Sequence, residues 1–137
     1  MDDRALNILL VDDDEVDVII VKRAFGTANV TNKLFIARDG IEALEMLRGD
    51  EMPKDRRVML LDINMPRMNG IELLREIRQD AALKGLSVIV MTTSTEERDR
   101  VEAFKLNVGG YIVKPVTFRA FVEAMALLNK YWTLMEL

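Results

Sequence analysis

Five short stretches stand out along the chain: residues 7–11 (NILLV), 33–37 (KLFIA), 57–61 (RVMLL), 86–91 (LSVIVM) and 110–113 (GYIV). Several of them are apolar at consecutive positions, not at alternate ones. A strand with one wet face alternates apolar and polar residues, whereas a strand apolar on both sides is covered on both faces. The pattern therefore predicts a parallel sheet sandwiched between helices.

Helical signals fill the gaps. A first helix is expected over 15–25, stopped by Gly26. Asp39 with Glu42 three residues on opens a second, whose apolar side is Ile41, Leu44 and Leu47. Asn69 with Glu72 opens a third, with Ile71, Leu74 and Ile77. Ser94 with Glu97 reads as a capping box before Val101, Phe104 and Val108. The last helix follows Pro115 and Thr117 and carries Phe118, Phe121, Val122, Met125 and Leu128 at helical spacing. Residues 48–56 (RGDEMPKDR) form the one breaker-rich, charged loop. Five strands alternating with five helices predict an open, doubly wound α/β fold with right-handed crossovers. A length of 137 residues predicts one domain, 1–137. Ligands in such folds sit beyond the carboxyl ends of the strands.

Those ends carry Asp12 and Asp13 after the first strand, Asp62 after the third, Thr92 after the fourth and Lys114 after the fifth. Adjacent acids repel, so Asp12, Asp13, Asp14 and Glu15 together need a reason. Capping the first helix, where negative charge meets the helix dipole, is the ordinary one. Likewise Thr92 suits a strand and Lys114 a surface turn. Taken together, however, an acid pair, an acid, a hydroxyl and an ammonium converge on one crevice.

Composition narrows the chemistry. The chain has no histidine and no cysteine, which removes thiolate sites, the commonest general base and the commonest transition-metal ligand. An all-oxygen ligand set selects hard cations. A formal charge of −4 argues against nucleic acid or an anionic membrane as the main partner. The start, MDDRALN, is no secretory signal, and no apolar stretch nears the roughly 20 residues of a membrane span, so a cytoplasmic protein is expected. A bare phosphate would be repelled by the anionic first turn, which also lacks the glycines of a phosphate loop. With a divalent cation the same turn makes sense. Asp62 can then attack phosphorus to form an aspartyl-phosphate, while Thr92 and Lys114 suit two of the phosphoryl oxygens.

The segments ILLVDDD, ARDGIEAL, LLDINMPRMNGIELL, VIVMTTS and GGYIVKP occur in the order found in receiver domains of two-component response regulators, and the chain resembles that family over essentially its whole length. The resemblance implies a strand order of 2-1-3-4-5, as in flavodoxin-like folds. It implies that Asp62 is the phosphoacceptor. Magnesium, or manganese, would be held by the side chains of Asp13 and Asp62, by the backbone carbonyl of Asn64 and through water by Asp12. Thr92 and Lys114 would hold the phosphoryl oxygens, and Lys114-Pro115 would be a cis peptide. Tyr111, which could equally be a core tyrosine, would be the switch aromatic moving with Thr92. Asn64 and Ser94 would tune the lifetime of the phosphate, although Ser94 also suits a plain helix cap.

The resemblance further implies a protein that catalyses only its own phosphorylation and dephosphorylation, with a sensor histidine kinase as partner. With no DNA-binding domain after the last helix, output would be a protein–protein contact or a phosphorelay. Tyr131 and Trp132 near the C-terminus are similar to the ends of single-domain receivers that pair with bacterial phytochromes. Trp132, Leu134 and Met135 suit a homodimer contact on the face of the fourth helix, fifth strand and fifth helix, or Trp132 closes the core. A competing reading takes Asp12 as nucleophile and Asp14 as acid/base of a haloacid-dehalogenase-type phosphatase; it lacks that family's later acidic motif and leaves MPRMNG unexplained. A pseudo-receiver that binds partners without phosphorylation keeps the fold and loses the chemistry.

Overall fold

The computed structural model describes residues 6–27, 33–117, 119, 120 and 123. Along them run β1 (Asn7–Val11), α1 (Glu15–Thr27), β2 (Lys33–Ala37), α2 (Gly40–Arg48), β3 (Arg57–Asp62), α3 (Gly70–Gln79), β4 (Ser87–Thr92), α4 (Thr95–Ala103) and β5 (Gly110–Val113). The strands are parallel and ordered β2-β1-β3-β4-β5. This is the flavodoxin-like receiver topology that the resemblance implies. Residues 119, 120 and 123 are helical. Phe118, Phe121, Val122, Met125 and Leu128 lie outside the described residues, as do Tyr131, Trp132, Leu134 and Met135. Among the described residues no helix is long and apolar enough to cross a membrane.

The consecutive apolar runs are explained by burial on both faces. Every residue of β1 is buried, and so is every residue of β3 after Arg57. Leu9, Val11, Met59, Leu61, Val88 and Val90 share one core with Leu47 of α2 and Leu73, Leu74 and Ile77 of α3. Ile8, Leu10, Val58, Leu60, Ile89 and Met91 share the other with Val18 and Val21 of α1. The edge strands are wetter: β2 starts at an exposed Lys33, and Val113 at the end of β5 is 69% exposed.

Several boundaries differ from the sequence expectation. Strands β3 and β4 run on to include Asp62 and Thr92, so both side chains are fixed by the sheet itself. Helix α1 continues past Gly26 to Thr27. The stripe Val101, Phe104, Val108 does not form, because α4 ends at Ala103, and the turn beyond it passes through left-handed backbone at Lys105 and Asn107. Val101 is the buried residue of α4; Phe104 is its C-cap, 47% exposed, under the Arg75 guanidinium.

The three expected helix starts are realised in different ways. Asn69 and Glu72 make a complete capping box on α3. On α2 the Asp39 side chain accepts from Glu42 N–H, but the Glu42 carboxylate reaches the N–H of Arg38, one residue earlier than a box requires. On α4 Ser94 Oγ accepts from Glu97 N–H at 3.2 Å, and the Glu97 carboxylate goes elsewhere.

Glycine has a steric role at the end of β3. A Cβ on Gly70 would stand 2.7 Å from the carbonyl oxygen of Asp62 and 2.8 Å from Cα of Ile63. Only glycine lets α3 start against the strand end that carries Asp62, with Gly70 N–H bonded to Ile63 O at 2.9 Å.

Candidate functional site

Asp12 leaves the end of β1 and Asp62 closes β3, the adjacent strand, so register alone sets their carboxylates side by side. Asp13 follows on the turn into α1. Asp12, Asp13 and Asp62 each offer a carboxylate oxygen, and the three oxygens lie within 4.8 Å of one another. Asp12 and Asp62 are buried and Asp13 is exposed.

Lys114, just past β5, carries the compensating charge. Its Nζ lies 2.6 Å from Asp17 Oδ2, 3.1 Å from Asp62 Oδ2 and 3.3 Å from Asp12 Oδ2. The Lys114-Pro115 peptide is cis. Burial works against the ammonium charge, but Asp17, Asp62 and Asp12 outweigh it and raise the lysine pKa. Burial raises the pKa of both Asp12 and Asp62. For Asp12 the Asp62 charge adds to the rise, against the Asp14 N–H and Lys114; for Asp62 the pull of Lys114 offsets part of it.

The acid cluster can hold a metal ion. Asp12 Oδ1 accepts from Asp14 N–H at 2.9 Å, but its Oδ2 is buried and takes no hydrogen bond, even with Lys114 nearby. A buried carboxylate oxygen without a hydrogen-bond donor is costly. The neighbouring donors are all oxygens, and oxygen sets suit hard cations. The residues present therefore fit a divalent ion.

Across the crevice, Thr92 ends β4 with its side chain buried. Its single hydroxyl proton has two acceptors in reach, Glu97 Oε1 at 2.7 Å and Ser94 O at 2.9 Å. Glu97 also accepts from Thr93 N–H at 3.1 Å and from the Asn64 side-chain amide. Burial opposes the Glu97 charge, yet these hydrogen bonds win and lower its pKa. The Asn64 backbone N–H donates to Asp62 Oδ1 at 3.2 Å. Tyr111 is half-buried under the Arg98 guanidinium, 4.7 Å from the ring centre. Its buried hydroxyl makes no hydrogen bond of ordinary length and angle, and burial, with Glu102 nearby, pushes its pKa to about 12.

The residues expected at the site thus fall in two groups. Asp12, Asp13, Asp62 and Lys114 stand together, and Thr92, Asn64 and Ser94 are tied to one another through Glu97. Asp14 turns away as the cap of α1, its Oδ1 accepting from Val16 N–H at 2.8 Å. Two participants were not singled out for the site from sequence. Asp17 lies one helical turn beyond Asp13, a spacing that aims it back at the strand ends. Glu97, three residues after Ser94, has in the sequence only the signature of half a capping box.

A parallel sheet in this order, with acids, a hydroxyl and a lysine at its carboxyl rim, defines the class of α/β signalling receivers. The chain belongs to the response regulator receiver family: residues 8–126 match the response regulator receiver domain. It is 33% identical to the probable methanogenesis regulatory protein FilR2 of Methanothrix harundinacea, over 91% of this chain and 82% of that protein. It is also 33% identical to response regulator Rcp1 of Synechocystis, over 91% and 87%. Among solved structures, the bacteriophytochrome response regulator RtBRR superposes with a TM-score of 0.80 at 36% identity, covering 90% of this chain and 78% of that one. An Mn(2+)-bound form of Rcp1 superposes with a TM-score of 0.70 at 32% identity, covering 93% and 94%. The chain is thus similar to phytochrome-associated regulators and, through the family, to phosphorylation-based two-component signalling.

Proposed function

We propose that this receiver accepts a phosphoryl group on Asp62 from a phosphohistidine of a sensor histidine kinase. One observation carries the reading. The Asp62 carboxylate is fixed at a strand end, held by Asn64 N–H and by Lys114, beside two further carboxylates that fit a metal ion. In the transfer an Asp62 oxygen attacks phosphorus, the P–N bond to the donor imidazole breaks, and the imidazole keeps the bonding pair. Lys114 balances charge on one phosphoryl oxygen, and Thr92 donates its hydroxyl proton to another. Asp13 and Asp62 side chains and the Asn64 carbonyl would hold magnesium, with Asp12 acting through water. The ion would supply the positive charge that lets a further anion enter an acidic site. Aspartyl-phosphate then biases a two-state element, Thr92 and the segment after it together with Tyr111, and so changes a protein contact or feeds a relay to a histidine on another protein. Asn64 and Ser94 set the access of water to the phosphate. Beyond this self-directed chemistry the protein is not an enzyme.

The bacteriophytochrome name of RtBRR supports a bacterial phytochrome as the kinase. A homodimer through the α4–β5 face is proposed with it, resting on exposed Val113 and Phe104. The test is incubation with acetyl phosphate, with and without magnesium, read by intact mass and gel filtration. One added phosphoryl group is expected, only with the cation, and none on Asp62→Asn. A folded protein that stays unmodified would establish a pseudo-receiver. Steady release of phosphate from a phosphomonoester, lost in Asp12→Asn and kept in Asp62→Asn, would establish a phosphatase.

A further inference from the structure

Glu97 and Glu72 occupy the same place in their helices, the third residue after the cap, and behave differently. Glu72 folds back onto the backbone N–H of its cap residue, Asn69, at 3.2 Å. The N–H of Ser94, the corresponding cap, is bonded instead to Thr92 Oγ1 at 3.2 Å. This leaves the Glu97 carboxylate free to collect other donors. Oε1 takes the Thr92 hydroxyl and the Thr93 N–H, and Oε2 takes the Asn64 amide. Capping α4 does not require any of these bonds, because Ser94 Oγ already takes the Glu97 N–H. The donors gathered on Glu97 come from the ends of β3 and β4, the two strands that carry Asp62 and Thr92.

We propose that Glu97 is a further positioning residue of the phosphoryl site: its carboxylate stands in for the phosphoryl anion and withholds the Thr92 hydroxyl and the Asn64 amide until phosphorylation displaces it. This rests on Asp62 being the acceptor. The hydroxyl has one proton, so a proton given to Glu97 is not given to a phosphoryl oxygen. Donation to a carboxylate is also stronger than donation to a neutral oxygen. Phosphorylation must therefore break an existing charge-assisted bond before Thr92 can help. The exchange releases Glu97 from Thr93 and Asn64 as well, which connects the chemistry at Asp62 to the start of α4.

The test is the rate at which the full chain is phosphorylated by acetyl phosphate at saturating magnesium, in wild type, Glu97→Ala, Thr92→Ala and the double variant. Glu97→Ala should react about tenfold faster, the size of one lost charged competitor. In the Thr92→Ala background the same change should gain no more than about twofold, since there is no hydroxyl to release. Equal rates in wild type and Glu97→Ala overturn the proposal. So does an undiminished gain without Thr92, which would mark Glu97 as a repelling charge only. If Glu97→Ala melts below the assay temperature, Glu97→Gln replaces it, with a smaller gain that must again vanish without Thr92. A wild type that takes no phosphoryl group overturns the acceptor reading, and this one with it; a phosphorylated wild type with the wrong Glu97 response overturns this one alone.

Discussion

At the scale of single residues, the site is an excess of buried negative charge around one ammonium. Lys114 faces three carboxylates, and two of them, Asp12 and Asp62, have raised pKa values because burial disfavours their charged forms. The sign of the pH dependence follows. An acid whose folded pKa lies above its unfolded value binds more protons in the native state, so stability falls as pH rises from the unfolded value through the folded one. In chelator, the contribution of Asp12 and Asp62 to stability should therefore fall as pH rises from about 4, the ordinary carboxylate value, toward neutrality, against the opposite contribution of Glu97, whose pKa is lowered. Asp12→Asn should flatten that slope and raise the neutral-pH melting temperature by roughly 2–6 °C; magnesium should stabilise wild type more than the variant. Thermal melts over a pH series, with chelator and with magnesium, check this. Removing the ammonium has the opposite effect. Lys114→Ala strands Asp12, Asp17 and Asp62 and should cost about 3–5 kcal/mol in denaturant unfolding without divalent cation.

At the scale of elements, short contacts place the strand ends. Gly70 lets α3 begin against the backbone of Asp62, and a methyl group there has nowhere to go but into that backbone. Gly70→Ala should cost about 1–3 kcal/mol by overpacking and slow the phosphorylation proposed for Asp62, measured by urea unfolding and intact mass. Arg78 works at the other end of α3, by the turns that lead into β4 and β5. Its guanidinium donates to the carbonyls of Leu106, Lys84, Leu86 and Asn107 at 2.7–3.0 Å, which joins the end of α3 to the turns on either side of β4 and α4. Burial lowers its pKa. Lysine lacks the planar fork, so Arg78→Lys should also destabilise, by about 2 kcal/mol. The helices themselves differ in anchorage. Helix α3 buries Ile71, Leu73, Leu74 and Ile77, whereas α4 buries Val101, so the bonds through Glu97 matter more to where α4 begins.

At the scale of the whole molecule, two cores clamp one sheet, and the inner strands have no wet face to spare. Leu60, fully buried on β3 two residues before Asp62, belongs to the core beneath α1. Leu60→Ala should cost about 2–5 kcal/mol by leaving a cavity, read from the urea midpoint, while the site chemistry of the remaining folded protein stays intact. The parallel arrangement also directs every strand's carboxyl end to one rim, which is why residues 12, 62, 92 and 114 line the same crevice although they are far apart in the chain.

The apolar runs, the helix starts at Asp39, Asn69 and Ser94, and the residue types at the strand ends were legible along the chain. Backbone periodicity and capping are local, and local patterns survive in one dimension. The sequence alone thus determined a doubly wound α/β fold and an acidic, hydroxyl- and lysine-bearing rim. It could not show where α4 ends, because left-handed backbone at Lys105 and Asn107 interrupts an otherwise acceptable apolar spacing. Nor could it show that Asp17 is the closest partner of Lys114, or that Glu97 leaves its cap for Thr92 and Asn64. Only the tertiary structure decided those choices. A long charged side chain has several acceptors or donors within its reach, and which one it takes depends on how far apart the folded strand ends stand, a distance no spacing along the chain encodes.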